Sequence, residues 1–184
     1  MTALDFFARW RVRIGYLLAA VVLWLARPTP VAIAAGAAIG LVGLAIRAYA
    51  AGYLHKQTIL TTTGPYAFTR NPLYFGSSIL TLGAAVATHS WWSAGILLIY
   101  FALVYGFVMR REENELRPRH RAAFDAYAAA VPLFFPQLTP WKQPGAEHGS
   151  FSLAQYKKNH EYEASLGFLL LLLALAVIWR LRSL

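Results

Sequence analysis

The stretch Gly64-Pro65-Tyr66-Ala67-Phe68-Thr69-Arg70-Asn71-Pro72-Leu73-Tyr74-Phe75-Gly76 stands between two pairs of apolar segments. It gathers Gly, Pro, Tyr and Arg at a density found nowhere else in the chain. Glycine and proline fix backbone shape, arginine supplies a permanent charge, and tyrosine supplies a ring with a polar tip. At the edge of a membrane segment this cluster reads as the floor of a binding site. Taken alone it also fits an ordinary basic connector broken by proline.

The segments on either side set the class of protein. With 58% hydrophobic residues, 14% charged residues and a positive mean hydropathy, the chain lies far from the soluble norm. It reads as an all-α, integral membrane helical bundle of about five spans, in one domain covering residues 1–184. The spans are expected at about 14–27, 31–51, 74–89, 93–109 and 165–180, near the ~20 residues that cross a ~30 Å hydrocarbon core. The apolar run after the N-terminal charges ends at Arg27-Pro28-Thr29-Pro30 without a small-residue cleavage site, so it reads as a retained anchor. Residues 1–13 look like a basic-aromatic collar. Gly36 and Gly40 form a GxxxG that permits close helix approach, and Arg47 is expected to snorkel to the interface. The pair of spans around His89-Ser90-Trp91-Trp92 reads as an antiparallel helical hairpin.

Beyond the hairpin, Leu116, His120, Phe124, Tyr127 and Val131 recur at helical spacing, with a restart expected at Pro118. Pro132, Pro136, Pro140 and Pro144 then mark an extended, aromatic-studded tail. Residues 150–163 read as an amphipathic surface segment.

The formal charge of +9 marks orientation. Without a soluble basic domain it does not indicate nucleic acid; it indicates a cytoplasmic face and anionic lipid headgroups. Five spans put 14 of the 17 Lys and Arg residues on the side of the N-terminus, the central loop and residues 110–164. By the positive-inside rule that side is cytoplasmic. The opening stretch and the post-hairpin region therefore share a compartment and can meet.

Three constellations on that side could carry chemistry. The opening stretch with Thr58-Ile59-Leu60-Thr61 before it is the first. The second is Arg110-Arg111-Glu112-Glu113-Asn114-Glu115-Leu116, where carboxylates at a membrane boundary need partners or a ligand. Arg111 and Glu115 are also i,i+4 neighbours, so helix-surface pairing is the plainer reading there. The third is Tyr127 to Pro136, whose aromatics can wall a planar base or lie on the bilayer surface. The absence of cysteine removes disulfides, thiolate ligands and a cysteine nucleophile. The five histidines show no close ligand spacing, so no metal site is expected. Phosphate loops and nucleophile elbows are absent, and the spans carry no Asp, Glu or Lys suited to an ion pump.

In this order the constellations resemble the isoprenylcysteine carboxyl methyltransferase family and its phospholipid N-methyltransferase relatives. Gly64 and Tyr66 match a G-x-Y, and Arg70, Pro72, Tyr74 and Gly76 match R-H-P-x-Y-x-G. Glu112, Glu113 and Leu116 match E-E-x-x-L, while Tyr127, Val131 and Pro132 match Y-x-x-x-V-P. The matched core spans residues 58–136. The resemblance implies S-adenosylmethionine as cofactor, held by Thr58, Ile59, Leu60, Thr61, Tyr66, Asn71, Pro72, Leu73, Tyr74 and Glu112. Glu113 and Arg70 are then the candidates for catalytic, substrate-side roles. The acceptor is expected to be a lipophilic carboxylate, amine or thiol entering from the bilayer.

Departures from the pattern are specific. Asn71 replaces the family histidine, His120-Arg121 replaces F-G, and Phe124 replaces the first tyrosine. Val108 stands where prenylcysteine enzymes carry an arginine, which argues against a prenylcysteine carboxylate. The alternatives are an NADPH-dependent membrane sterol- or enone-type reductase, which shares a closing R-[HN]-P-x-Y-x-G, and a non-enzymatic membrane scaffold. No feature of the sequence sets an oligomeric state.

Overall fold

A computed structural model describes residues 15–55, 59–142 and 149–183. The collar expected at 1–13, Thr58 and Pro144 lie outside the described residues. Among those described, regular structure is entirely helical: α1 Gly15–Leu25, α2 Pro30–Tyr53, a 3-10 turn Gly64–Ala67, α3 Pro72–Thr88, α4 Trp91–Ala130, α5 Leu153–Lys158 and α6 Tyr162–Arg182. Helices α2, α4 and α6 are long and apolar enough to cross a membrane, and α1 and α3 are shorter apolar helices. At 17 residues, α3 reaches the lower limit of spanning length.

The described residues fall into two compact units. One comprises residues 15–41, 78–108 and 166–183 and is built from apolar helix. Its core centres on Ala26, Ala87 and Leu175, all fully buried, with Leu23, Ile33, Leu171 and Leu172 packed around them. Small residues permit this packing. A Cβ on Gly36 would strike the backbone of Gly83, and one on Gly40 would strike the Phe168 ring. Polar atoms here are paired locally, as a low-dielectric surrounding requires. Thr29 caps α2, its Oγ1 accepting from Ala32 N at 3.1 Å, with Pro30 in the first helical position where a missing N–H costs nothing. Ser93 Oγ donates to Val22 O at 3.0 Å. Arg182 donates to Ala26 O, and to Trp24 O at 3.0 Å, satisfying carbonyls at the end of α1.

The other unit, residues 42–77 and 109–165, carries the polar chemistry. Here the opening stretch and the proline tail are stitched together. Arg70 N donates to Pro132 O, Gln137 N to Phe68 O and Trp141 N to Ala67 O, each at 2.9 Å. Buried Thr69 donates to Phe134 O at 2.9 Å, and Asn71 Nδ2 to Leu133 O at 3.0 Å. The prolines keep the tail extended, so its carbonyls are open to these donors.

Two expectations are corrected in this unit. Arg47 does not snorkel. Its Nε and Nη2 meet Glu161 Oε1 and Oε2 at 2.5 and 3.1 Å, and its Nη1 reaches Leu73 O at 3.5 Å and Ser77 Oγ. A carboxylate within reach makes the inward rotamer cheaper than stretching to water. The segment 150–163 keeps most of its residues at the surface and turns Glu161, 7% exposed, inward to hold that pair. The helix carrying Pro118 does not restart there. It continues and breaks at Arg121, which has φ 42 and ψ −120. Pro118 removes a backbone donor and crowds residue 114, and the chain absorbs the mismatch one turn later.

Candidate functional site

Gly64 begins the site with a positive φ of 60, a conformation glycine adopts freely. A Cβ there would also collide with the Tyr53 ring. The 3-10 turn that follows, with Pro65 early in it, buries Tyr66 and Ala67. Tyr66 is 6% exposed and its Oη has no hydrogen-bond partner among the described residues. Its backbone carbonyl accepts from Tyr127 Oη at 2.6 Å. Tyr127, 3% exposed, packs its ring 5.5 Å from Trp141.

Above this floor lies a cavity of about 510 Å³, within the range of about 300–1,000 Å³ common for small-molecule sites. All its lining residues belong to the second unit. Ile59, Leu60, Thr61, Tyr66, Asn71, Leu73, Tyr74 and Glu112 line it, as do Arg70 and Glu113. Pro72 is buried beside the cavity without lining it, where it opens α3. Asn71 lines the cavity while its side-chain amide is committed to Leu133 O, so it acts as a strut.

The carboxylates are held in defined positions. Tyr74 Oη donates to Glu112 Oε1 at 2.6 Å. Arg70 Nη1 contacts Glu113 Oε1 at 2.8 Å, the two side chains being 14% and 23% exposed. The buried Arg70 Nε has no hydrogen-bond partner among the described residues. Arg111 and Glu115 do form the exposed i,i+4 pair, at 3.0 Å, a contact of small energetic weight.

Burial holds both buried tyrosines protonated. Tyr66 is raised well above its usual value of 10.0, first by desolvation and then by coulombic interaction with Tyr127, Glu112, Tyr74 and Glu161. Tyr127 is raised by burial, with Arg70 opposing and Glu113 adding to the rise. The cavity therefore offers neutral hydroxyls and five glutamates against three arginines, beside an apolar wall of Leu60, Leu73, Leu116 and Phe124. Such a surface suits a ligand with a cationic centre, hydroxyls and a planar apolar part.

Further residues line the cavity that sequence reasoning did not single out for it: Arg47, Leu54, His55, Arg119 and, from the distal segment, Asn159, His160, Glu161 and Glu163. Two signals bear on them. Arg47 is a charge inside an apolar run, which points to a partner or a function. His160 has a left-handed backbone, φ 54, visible only in three dimensions. Among the described residues no group of three or more His, Asp or Glu side chains is placed to hold a metal ion.

Comparison with known proteins places these features in a family. The family model described as phospholipid methyltransferase matches residues 10–121. The chain is 35% identical over 137 residues to the nickel-cobalt-cadmium resistance protein NccN of Alcaligenes xylosoxydans xylosoxydans, a match covering 71% of this chain and 64% of that protein. It is 28% identical over 161 residues to the cobalt-zinc-cadmium resistance protein CzcN of Cupriavidus metallidurans, covering 82% of this chain and 71% of that protein. No solved structure matches it. With the family model covering well over half its length, the chain belongs to the phospholipid methyltransferase family.

Proposed function

We propose that this protein is an integral membrane methyltransferase that uses S-adenosylmethionine to methylate a lipophilic carboxylate, amine or thiol drawn from the bilayer. One observation carries the reading: a cavity that presents Glu112, fixed by Tyr74, together with the buried Tyr66 hydroxyl that has no hydrogen-bond partner among the described residues. A buried polar group without a partner is costly, so a ligand acceptor at that point repays the arrangement. When bound, S-adenosylmethionine supplies a methyl group on an electrophilic sulfonium. Glu112 suits its cationic or diol part, and Leu60, Leu73 and Phe124 suit its base.

For this chemistry the residues do most of their work by alignment. In-line displacement gains its rate from held geometry and exclusion of water, which the burial of Tyr66, Tyr127 and Thr69 supports. Glu113, held by Arg70, stands on the same helical turn as Glu112 and is our choice for the acceptor side. We place the cavity residues and the N-terminus on the cytoplasmic side, from the Lys and Arg bias.

The test is calorimetric binding of S-adenosylhomocysteine and of NADPH to the detergent-purified protein. S-adenosylhomocysteine is expected to bind and Glu112→Ala to abolish it. NADPH binding without S-adenosylhomocysteine binding would replace this reading with the reductase, and binding of neither would leave a scaffold. The names of the two relatives add a cellular assay. A deletion strain is expected to change its growth in nickel, cobalt, cadmium or zinc salts, restored by the parent gene and not by Glu112→Ala.

A further inference from the structure

Glu161 lies beyond the residues that the family model matches, yet it is among the most buried charged side chains described. The segment that brings it there is fastened to the last turns of α2 at several points. Ser152 N donates to Gly52 O at 3.0 Å, and Phe151 stacks on Tyr49 with centroids 6.3 Å apart and planes 8° apart. Gly52 makes room for that ring, which a Cβ would strike. Asn159 Nδ2 donates to Ala51 O at 2.8 Å and to Leu54 O at 3.0 Å, satisfying carbonyls at the end of α2. His160 then takes its left-handed conformation, and Glu161 follows it against Arg47.

From Glu161 a continuous set of polar contacts runs to the cofactor wall. Both carboxylate oxygens hold the Arg47 guanidinium, leaving Nη1 for Ser77 Oγ and Leu73 O in the first turns of α3. Ser77 Oγ donates to the same Leu73 O at 2.9 Å. Leu73 precedes Tyr74, whose hydroxyl fixes Glu112. Gly76 lets this turn approach, since a Cβ there would meet Gly43 O and Arg47. The planar guanidinium, with donors in a fixed fork, can serve a carboxylate and two α3 acceptors at once; an ammonium cannot.

We infer that Glu161 is a positioning residue for the cofactor wall: by clamping Arg47 it sets the first turn of α3, and through Tyr74 the position of Glu112. The inference rests on the reading of the cavity as an S-adenosylmethionine site. It gives the distal segment 149–163 a part in holding the cofactor wall, although Glu161 need not touch the ligand.

Removing one member of a buried pair strands the other charge and can unfold the protein, whereas removing both in favour of apolar residues is tolerated. The test therefore uses the full chain with Arg47→Met and Glu161→Leu together. Two readouts are taken: calorimetric binding of S-adenosylhomocysteine, and amide hydrogen exchange over residues 73–78. The double variant is expected to keep the thermal midpoint of the parent, to bind about tenfold or more weakly, and to exchange faster across the first turns of α3. Parental affinity together with parental exchange would reduce the pair to a structural contact and overturn the inference. If the parent itself fails to bind S-adenosylhomocysteine, the functional reading falls, while the exchange readout still decides whether Glu161 sets the α3 turn.

Discussion

Tyr66 and Tyr127 touch each other, yet removing their hydroxyls is expected to move stability in opposite directions. Tyr66 Oη is buried without a partner among the described residues, whereas in the unfolded chain water satisfies it. Such a group costs about 1–3 kcal/mol. Tyr66→Phe deletes the oxygen and keeps the ring, so no cavity opens. It is expected to stabilise the apoprotein by about 1–3 kcal/mol, a rise of about 2 to 12 °C in thermal midpoint for a chain of this size. Tyr127→Phe instead breaks the 2.6 Å bond to Tyr66 O and leaves that carbonyl buried and bare. Its midpoint is expected to fall over the same range. Ligand affinity then separates stability from function. Tyr66→Phe is expected to weaken S-adenosylhomocysteine binding about 3- to 10-fold, the worth of one neutral hydrogen bond, while growing more stable. Thermal unfolding in detergent and calorimetry together read both quantities. A Tyr66→Phe variant less stable than the parent would refute the argument, since the hydroxyl would then be satisfied in the free protein. Unchanged affinity would refute its role toward ligand.

Three other outcomes follow from the geometry. Both tyrosines have folded values above the unfolded value of about 10, so their contribution to stability is complete below about pH 10 and is lost as pH rises toward the folded values. Absorbance near 295 nm is expected to show two tyrosines that ionise only as the protein unfolds above about pH 10; their free titration in folded protein would contradict this. Arg121→Gly relieves a left-handed backbone in α4 and is expected to raise stability by about 1 kcal/mol in thermal unfolding; a loss would show that the side chain holds the break. Gly64→Ala meets both a positive φ and the Tyr53 ring, and is expected to cost about 2 kcal/mol or more; a neutral result would show that Tyr53 yields freely.

What the sequence made legible was local. Apolar runs of spanning length marked α2 and the first part of α4, and the break read at Arg27-Pro28-Thr29-Pro30 falls at the start of α2, because composition and proline act over a few residues. Tyr66, Tyr74 and Glu112 stood out because their motifs are short, and the resemblance joined them. The partners of those residues were not legible. Tyr127 donates to a carbonyl 61 residues away, and Asn71 to one 62 residues away. Nothing in the intervening chain encodes such a pairing as a pattern. Arg47 was misjudged for the same reason, since a charge in an apolar helix reads as snorkelling until its carboxylate is found. Glu161 fell within a segment read as amphipathic surface, and nothing near it in sequence pointed to a cation 114 residues earlier. The break at Arg121 followed a proline that the periodicity could place but whose strain it could not locate.

The separation between Arg47 and Glu161 also has a meaning in time. The guanidinium is synthesised 114 residues before its carboxylate, which at about 5–20 residues per second is a wait of roughly 6 to 23 s. Throughout it, α2 carries that cation near the end of a segment apolar enough to cross a membrane, without the carboxylate that later holds it. The pairing of Arg47 is thus completed only once the distal segment has been synthesised.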